Sequence, residues 1–245
     1  MMLAAEDLCR RCGAVPLPEF RGGLPRGADP LEVLLARARS SRGGEKSVVL
    51  GRFGESSIKE AVELSSSIRS IEWPSPLVEL SSYLLLAAAG SGLWSEPGPW
   101  WPRMRLLLSG GFSTPPSSSV LDALLSADSV VVVVNDVPSA IFSRNLIEFM
   151  LDSGKSLEVV VDRRLGEFSR EFILRLSAGP PFSGSPTCDV AVAVGALALS
   201  SASRLPARVE KIVVLLTPPC EVAAGQLGAP RGLPTAFLVE GYGLT

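Results

Sequence analysis

The 245-residue chain contains no histidine. That absence removes Ser-His-Asp and Cys-His nucleophile pairs, imidazole acid–base chemistry and every His-ligated metal site. Lysine is scarce, four residues against 19 arginines, and there are two tyrosines. Proton transfer or nucleophilic attack would therefore fall to carboxylates, Ser, Cys, Arg or these few residues. Neither sign of charge dominates: 23 basic and 25 acidic residues give a net charge of −2. A dedicated nucleic-acid binder normally carries a basic excess, so direct nucleic-acid binding is not expected.

Long apolar runs are missing too. The longest, Leu84 to Ala89, extends weakly to Leu93 and is preceded by Pro74, Pro76 and Glu79. It falls short of the ~20 residues that span a bilayer. Met1 to Ala5 is followed at once by Glu6 and Asp7, without the basic stretch and apolar region of a secretory signal. This reading predicts a cytoplasmic protein with no membrane partner. Of the four cysteines, Cys9 and Cys12 have the spacing of half a zinc ribbon or of a redox pair. No second Cys-x-x-Cys and no histidine completes a site, so the pair reads as ordinary thiols, and no metal or cofactor is expected.

What is present is apolar content of 47%, enough to bury a core. Up to residue 103 the apolar residues recur at helical spacing between Pro, Gly and Ser breaks. Leu31, Leu34, Leu35 and Ala38 share one helical face after Asp29-Pro30. Val48-Val49-Leu50 is a short apolar run. Ile58, Ala61, Val62 and Leu64 predict a helix capped by Ser56 or Ser57. Leu77 to Ala89 predicts another, stopped by Gly90 and Gly92. Ser95 to Pro102 is a Pro-, Gly- and Trp-rich linker whose tryptophans suit an interface or a core.

From residue 104 apolar strands alternate with helices. Met104 to Leu108 predicts a strand and Val120 to Ala127 a helix. Ser129 to Val134 predicts a strand buried on both faces, and Ile141 to Leu151 a helix ended by Gly154. Leu157 to Val161, Asp189 to Val194, Lys211 to Leu216 and Thr235 to Val239 predict further strands, with a helix over Glu167 to Leu176. The expectation is a mainly helical N-terminal domain, 1–103, ahead of an α/β domain, 104–245. The latter would be Rossmann-like, a mostly parallel sheet of about six strands covered on both faces.

Ligands bind beyond the carboxyl ends of such strands. The segment Ser109-Gly110-Gly111, continued through Ser117 and Ser118 into a helix, could cradle a phosphate, because small residues and a helix N-terminus expose N–H groups. It lacks the Gly-Lys-Ser/Thr ending of a P-loop, and Ser119 with Asp122 also fits a plain capping box. Asn135 and Asp136, after the Val-rich strand, occupy the place of ribose or phosphate-sugar contacts, with Arg144 on the next helix. The same residues also read as a turn with Ser139 as cap. Asp162-Arg163-Arg164 could clamp phosphate or form a solvated charge cluster. After the fourth and fifth strands come Gly195-Ala196-Leu197, apolar where an enzyme places polar groups, and Thr217-Pro218-Pro219-Cys220. Cys220 there is a lone thiol without a basic neighbour.

The serial order of these segments resembles the translation initiation factor 2B regulatory-subunit family, which includes methylthioribose-phosphate and ribose bisphosphate isomerases. The similar stretches are Phe112 to Ala127, Val130 to Val134 with the Pro138 turn, Arg144 to Gly154, Val159 to Asp162, and Asp189 to Ala196. The resemblance covers about residues 105 to 220 and implies a helical domain before a Rossmann-like one. At matching positions the isomerases' catalytic Cys is missing from Ser109 to Ser119, and Leu197 stands in place of their catalytic Asp. It therefore implies no catalytic residue. The expectation is a divergent, non-catalytic regulatory or assembly protein, a homodimer or partner of another protein, that can bind a phosphorylated small molecule. Val131 to Ala140 is also similar to the phosphoribosyltransferase diphosphate loop, although Asn135 replaces one acid and its Gly is absent. Two alternatives follow: a phosphosugar isomerase-like or phosphoribosyltransferase-like enzyme, and a structural interaction subunit docking through Trp94 to Trp101.

Overall fold

A computed structural model of the chain describes residues 55–93, 100–112, 116–162, 167–184, 187–195, 198, 202, 205, 208–218 and 231–240. The expected helix at Leu31 to Ala38, the run at Val48 to Leu50, Cys9, Cys12, Cys220, Arg163, and residues 95–99 of the linker lie outside the described residues.

Helix α1, Glu55–Arg69, buries Ile58, Ala61 and Ser65 at spacings of three and four. Ser56 and Ser57, expected as its cap, lie in its first turn instead. Helix α2, Pro76–Gly90, starts at an extended Ser75 whose hydroxyl accepts from Val78 N–H, with Pro at the first helical position. A 3-10 turn, Ser91–Leu93, follows. Pro76–Leu93 has a mean hydropathy of 1.3 over 18 residues, long and apolar enough to cross a membrane. Its Leu80, Tyr83, Leu84, Leu86 and Leu93 are spent in the protein core.

Met104 to Leu108 is not a strand. It belongs to helix α3, Trp101–Gly110, which opens with Pro102 in its first turn and ends at Gly111, φ +63°. Met104 and Leu107 bury one face while Arg105 and Leu106 stay exposed. A five-residue, mainly apolar run fits a strand or a piece of helix equally well, and the Pro after Trp101 favours a helix start. Helix α4, Ser118–Ser126, is capped by Ser117, whose hydroxyl accepts from Val120 N–H, not by Ser119.

Strand β1, Ser129–Val134, leads into helix α5, Val137–Asp152. Strand β2 is Ser156–Val160, helix α6 Glu167–Ser177, and strands β3, β4 and β5 are Thr187–Val194, Arg208–Leu216 and Thr235–Glu240. The described sheet has five strands, not six, because the expected first strand is helical. Their order is β2-β1-β3-β4-β5, with β5 the antiparallel member. β1 sits between β2 and β3 with Val132 paired to both Val159 and Val192. This is an α/β fold with a mostly parallel sheet, as expected.

Alternate residues of β1 feed two apolar layers. Val130, Val132 and Val134 join one core with residues of each of the helices α1 to α6, including Ile58, Leu84, Met104, Leu124, Phe142 and Phe172. Val131 and Val133 face Ala198, Ala202 and Leu205 of the β3–β4 connection. Residues on both sides of position 103 thus share one core, and α3 runs across that position. Fully burying one Leu- or Phe-sized side chain contributes about 1.5–3 kcal/mol, so this layer dominates stability.

Three polar locks fix the helices and strands. Arg69, ending α1, forms ion pairs with Glu79 of α2 at 2.8 Å and with Glu148 and Asp152 of α5, and lies over the Tyr83 ring. Asn145 Nδ2 donates to Ser65 O at 2.9 Å and ties α5 to α1 inside the core. The Asp189 carboxylate accepts from Asp128 and Ser129 N–H, both at 2.9 Å, and pins the amino ends of β1 and β3. Those N–H bonds, the Ser129 one foremost, hold its carboxyl below the usual range. At the β2 edge Val159 N–H donates to Pro180 O, and Phe182 N–H donates to Val159 O.

Candidate functional site

A sheet ordered 2-1-3 reverses direction at β1, and the loops leaving the carboxyl ends of β1 and β3 diverge there. Five polar residues cluster at this crest. Asn135 and Asp136 follow β1, Ser139 lies in the first turn of α5, Thr217 follows β4, and Ser91 ends α2. All five are buried.

Asp136 is the N-cap of α5, with an extended backbone at φ −146°, ψ 162°. Its Oδ1 accepts from Ser139 N–H and its Oδ2 from Ser139 Oγ, both at 2.7 Å. Ser139 is therefore the capped residue rather than the cap. Burial pushes the Asp136 carboxyl up to about 6 against the opposing pull of the two Ser139 bonds. A buried, perturbed carboxyl at this strand end makes Asp136 the candidate site residue. A carboxylate across the N-terminus of α5 also occupies the place an anion would take there, so phosphate is not expected at this helix end.

Asn135 Oδ1 accepts from Asp162 N–H at 2.8 Å and joins the carboxyl ends of β1 and β2. Thr217 N–H donates to Ser91 Oγ at 2.9 Å, and Thr217 Oγ1 donates to Ala88 O at 2.8 Å. Ser91 Oγ in turn donates to Ala88 O at 2.7 Å, so the end of β4 is fastened to the end of α2. Gly195, the residue after β3, has φ +89° and donates its N–H to Leu215 O at 2.7 Å. A side chain there would be aimed at Ser91, Ser139 and Asp136.

Three of the residues expected from the sequence meet here: Asn135, Asp136 and Asp162. Arg144 does not. It lies at the eighth position of α5, roughly 10 Å along the axis by helical rise, and its Nε pairs with Glu148 at 2.7 Å. Ser109, Gly110 and Gly111 form the C-terminal end of α3, not a loop after a strand, and Ser109 Oγ donates back to Leu106 O. A helix C-terminus presents carbonyls, which repel phosphate. Ser117 and Ser118 are exposed at the start of α4, where Ser117 bonds Val120 N–H and the Ser119 hydroxyl within its own turn. The sequence offers Ser139 only as a cap, Gly195 only as the start of an apolar loop and Thr217 only as the start of a proline turn, and Ser91 not at all. Only their position at strand or helix ends signalled them, and the Ser91–Thr217 bond spans 126 residues.

Among the described residues no group of three or more Asp, Glu, Cys or His lies close enough together to hold a metal ion. Cys188 is buried near the amino end of β3, away from the crest, and burial with Asp189 and Glu158 nearby pushes its thiol up to about 11. It is not a nucleophile in this state.

The chain folds like a DUF89 family protein from Pyrococcus horikoshii. That crystal structure matches with a TM-score of 0.57 at 15% identity, over 95% of this chain and 86% of the other. At this identity the likeness concerns the fold alone. No family model and no curated protein matches the sequence.

Proposed function

We propose that the chain is a regulatory or assembly protein that binds a phosphorylated polyol, a sugar phosphate or nucleotide, at the carboxyl ends of β1 and β3. The observation that carries this is Asp136, a fully buried carboxylate at the point where the sheet reverses direction. An acidic residue in such a crevice recognises hydroxyls, as the ribose-binding acid of dinucleotide sites does. Asn135 and Asp162 brace the neighbouring loop. The regulatory role rests on the resemblance of the segment order to the initiation factor 2B family and on the missing isomerase residues, and so do a cytoplasmic location and self-association or a protein partner.

The test is a thermal-shift series on the purified chain with ribose 5-phosphate, AMP and diphosphate. A ligand at 100 times its Kd stabilises the fold by about 2.7 kcal/mol. Stabilisation by ribose 5-phosphate or AMP, lost in Asp136→Ala with the fold retained, supports the reading. No shift with any of the three removes it.

One observation favours a second reading. A carboxyl held at about 6 is tuned as general bases are. Were the chain a phosphosugar isomerase-like enzyme, sugar-phosphate turnover would rise through pH 6 and vanish in Asp136→Asn.

A further inference from the structure

The two edges of the sheet differ. Residues 180–182 bond to β2 and occupy its outer side. β5 ends the sheet on the other side, and no strand among the described residues pairs with its outer side. The direction of its backbone groups follows from β4. Gly195 N–H donates to Leu215 O, so Leu215 turns its N–H and C=O toward β3. Alternation turns those of Ile212, Val214 and Leu216 toward β5, where their partners are Val239, Phe237 and Thr235. Ala236 and Leu238 therefore point their N–H and C=O outward.

An exposed edge is normally blunted by Lys, Pro, another charge or a bulge. Thr235 to Val239 contain no Lys, Pro or charge, and their register with β4 is unbroken. Ala236, Phe237, Leu238 and Val239 are only half-buried although apolar layers reach both faces. Just before this strand Leu233 is 37% exposed, and a Cβ at Gly110 would lie 3.6 Å from its Cδ2. Leu106, one turn earlier on the same face of α3, is 60% exposed. The open edge thus runs into exposed leucines, and the two together make an interaction surface.

We propose that two copies of this chain join through β5, pairing antiparallel about a two-fold axis so that their sheets continue as one and each copy covers Leu106 and Leu233 of the other. The β2 side of a second copy is occupied, so the ladder it offers is its own β5, and the contact is isologous and closes as a dimer. With no charge from Thr235 to Val239, identical strands meet without like charges opposed. Ala236 of each copy lies opposite Leu238 of the other, each pair exchanging both N–H···O bonds. A six-residue strand, about 20 Å long, is small for a stable interface, and the leucines supply further apolar area. This gives a surface to the self-association in the reading above, but it rests on the sheet edge and not on ligand binding at the crest.

Sedimentation velocity over a range of concentrations and amide hydrogen exchange are run on the full chain and its variants. The wild type is expected to be a dimer in which the Ala236 and Leu238 amides exchange slowly, and faster on dilution to monomer. Ala236→Pro removes one outward donor per copy and leaves the β4 ladder intact, and its dimer Kd is expected to rise tenfold or more. If Ala236→Pro does not melt cooperatively, the double variant Leu106→Lys, Leu233→Lys, at exposed positions, is read in its place. Ile71→Lys, at an exposed apolar residue beside the Arg69 network, is expected to dimerise like the wild type. A wild type that stays monomeric overturns the proposal and leaves the crest reading to its own thermal-shift test. Slow exchange at Ala236 and Leu238 in such a monomer would mean that another part of the chain covers the edge. A dimer unmoved by the edge variant, or weakened equally by Ile71→Lys, also overturns the proposal.

Discussion

Asp136 and Ser139 are joined twice, the backbone N–H of Ser139 to Oδ1 and its hydroxyl to Oδ2, both at 2.7 Å and both out of contact with solvent. Among the described residues, Ser139 alone supplies hydrogen bonds to this buried carboxyl. Two bonds do not offset the loss of hydration, and the carboxyl titrates near 6 instead of 3.8.

This sets a pH dependence. The folded state holds the Asp136 proton more tightly than the unfolded state does. Its contribution to stability is full below pH 3.8 and is lost as pH rises through about 6. Urea denaturation at a series of pH values compares the wild type with Asp136→Asn, which cannot ionise. The wild type should lose about 2.4 kcal/mol relative to the variant between pH 4 and pH 7. Parallel pH profiles would mean that Asp136 keeps its ordinary value. Asp136→Ala, which removes the cap, should be less stable than Asp136→Asn by about 1 kcal/mol.

Gly90 lets α2 approach α5 closely. A Cβ there would lie 2.6 Å from Phe142 Cβ, an atom anchored to the α5 backbone that cannot swing away. Gly90→Ala should therefore destabilise by about 2–3 kcal/mol despite the better helix propensity of alanine. Combining it with Phe142→Gly, which removes that Cβ, should give a coupling term well above measurement error, read from a double-mutant cycle in urea. Simple additivity would show that α2 and α5 separate freely.

The Arg69 network joins three helices, yet its guanidinium is partly exposed. Arg69→Met should cost about 1 kcal/mol at low salt, consistent with a partly screened pair. The difference should shrink near ~1 M NaCl, where the screening length is about 3 Å. A cost that salt leaves unchanged would place the arginine's contribution in its packing on Tyr83 instead.

Cys188 should resist alkylation. Its thiol is buried and titrates near 11, so at pH 8 the thiolate fraction is about 0.001. Iodoacetamide labelling followed by peptide mapping should leave residue 188 unmodified in the native protein and modify it in urea. Rapid native labelling at 188 would show that the amino end of β3 opens.

Much of the sheet was legible in the sequence, because β1 is almost pure valine and α5 and α2 carry long apolar patterns. The segment Met104 to Leu108 reads as a strand because a five-residue run with four apolar members carries no period of its own, and the helix start at Trp101-Pro102 lies outside it. The candidate site was legible where one residue type and one strand end coincide, as at Asn135 and Asp136. It was not legible where contact depends on elements far apart in sequence. Ser91 meets Thr217 only after α2 and β4 have packed, and Gly195 gains meaning only from what its missing side chain would touch. The assignment of Ser139 as cap inverted a pair whose members were both named, since Asp and Ser compete for the same role three residues apart.

The edge of the sheet at β2 is closed by a segment that begins with two prolines. Val159 donates to Pro180 O and accepts from Phe182 N–H, so the short stretch 180–182 completes the ladder. Pro181, the residue bridged to Val159, has no N–H to offer on the outward side. A further strand arriving from another molecule would meet a pyrrolidine ring where it needs a donor. The chain therefore terminates its own hydrogen-bond ladder on that side, and templated growth into fibrils is denied its starting edge there.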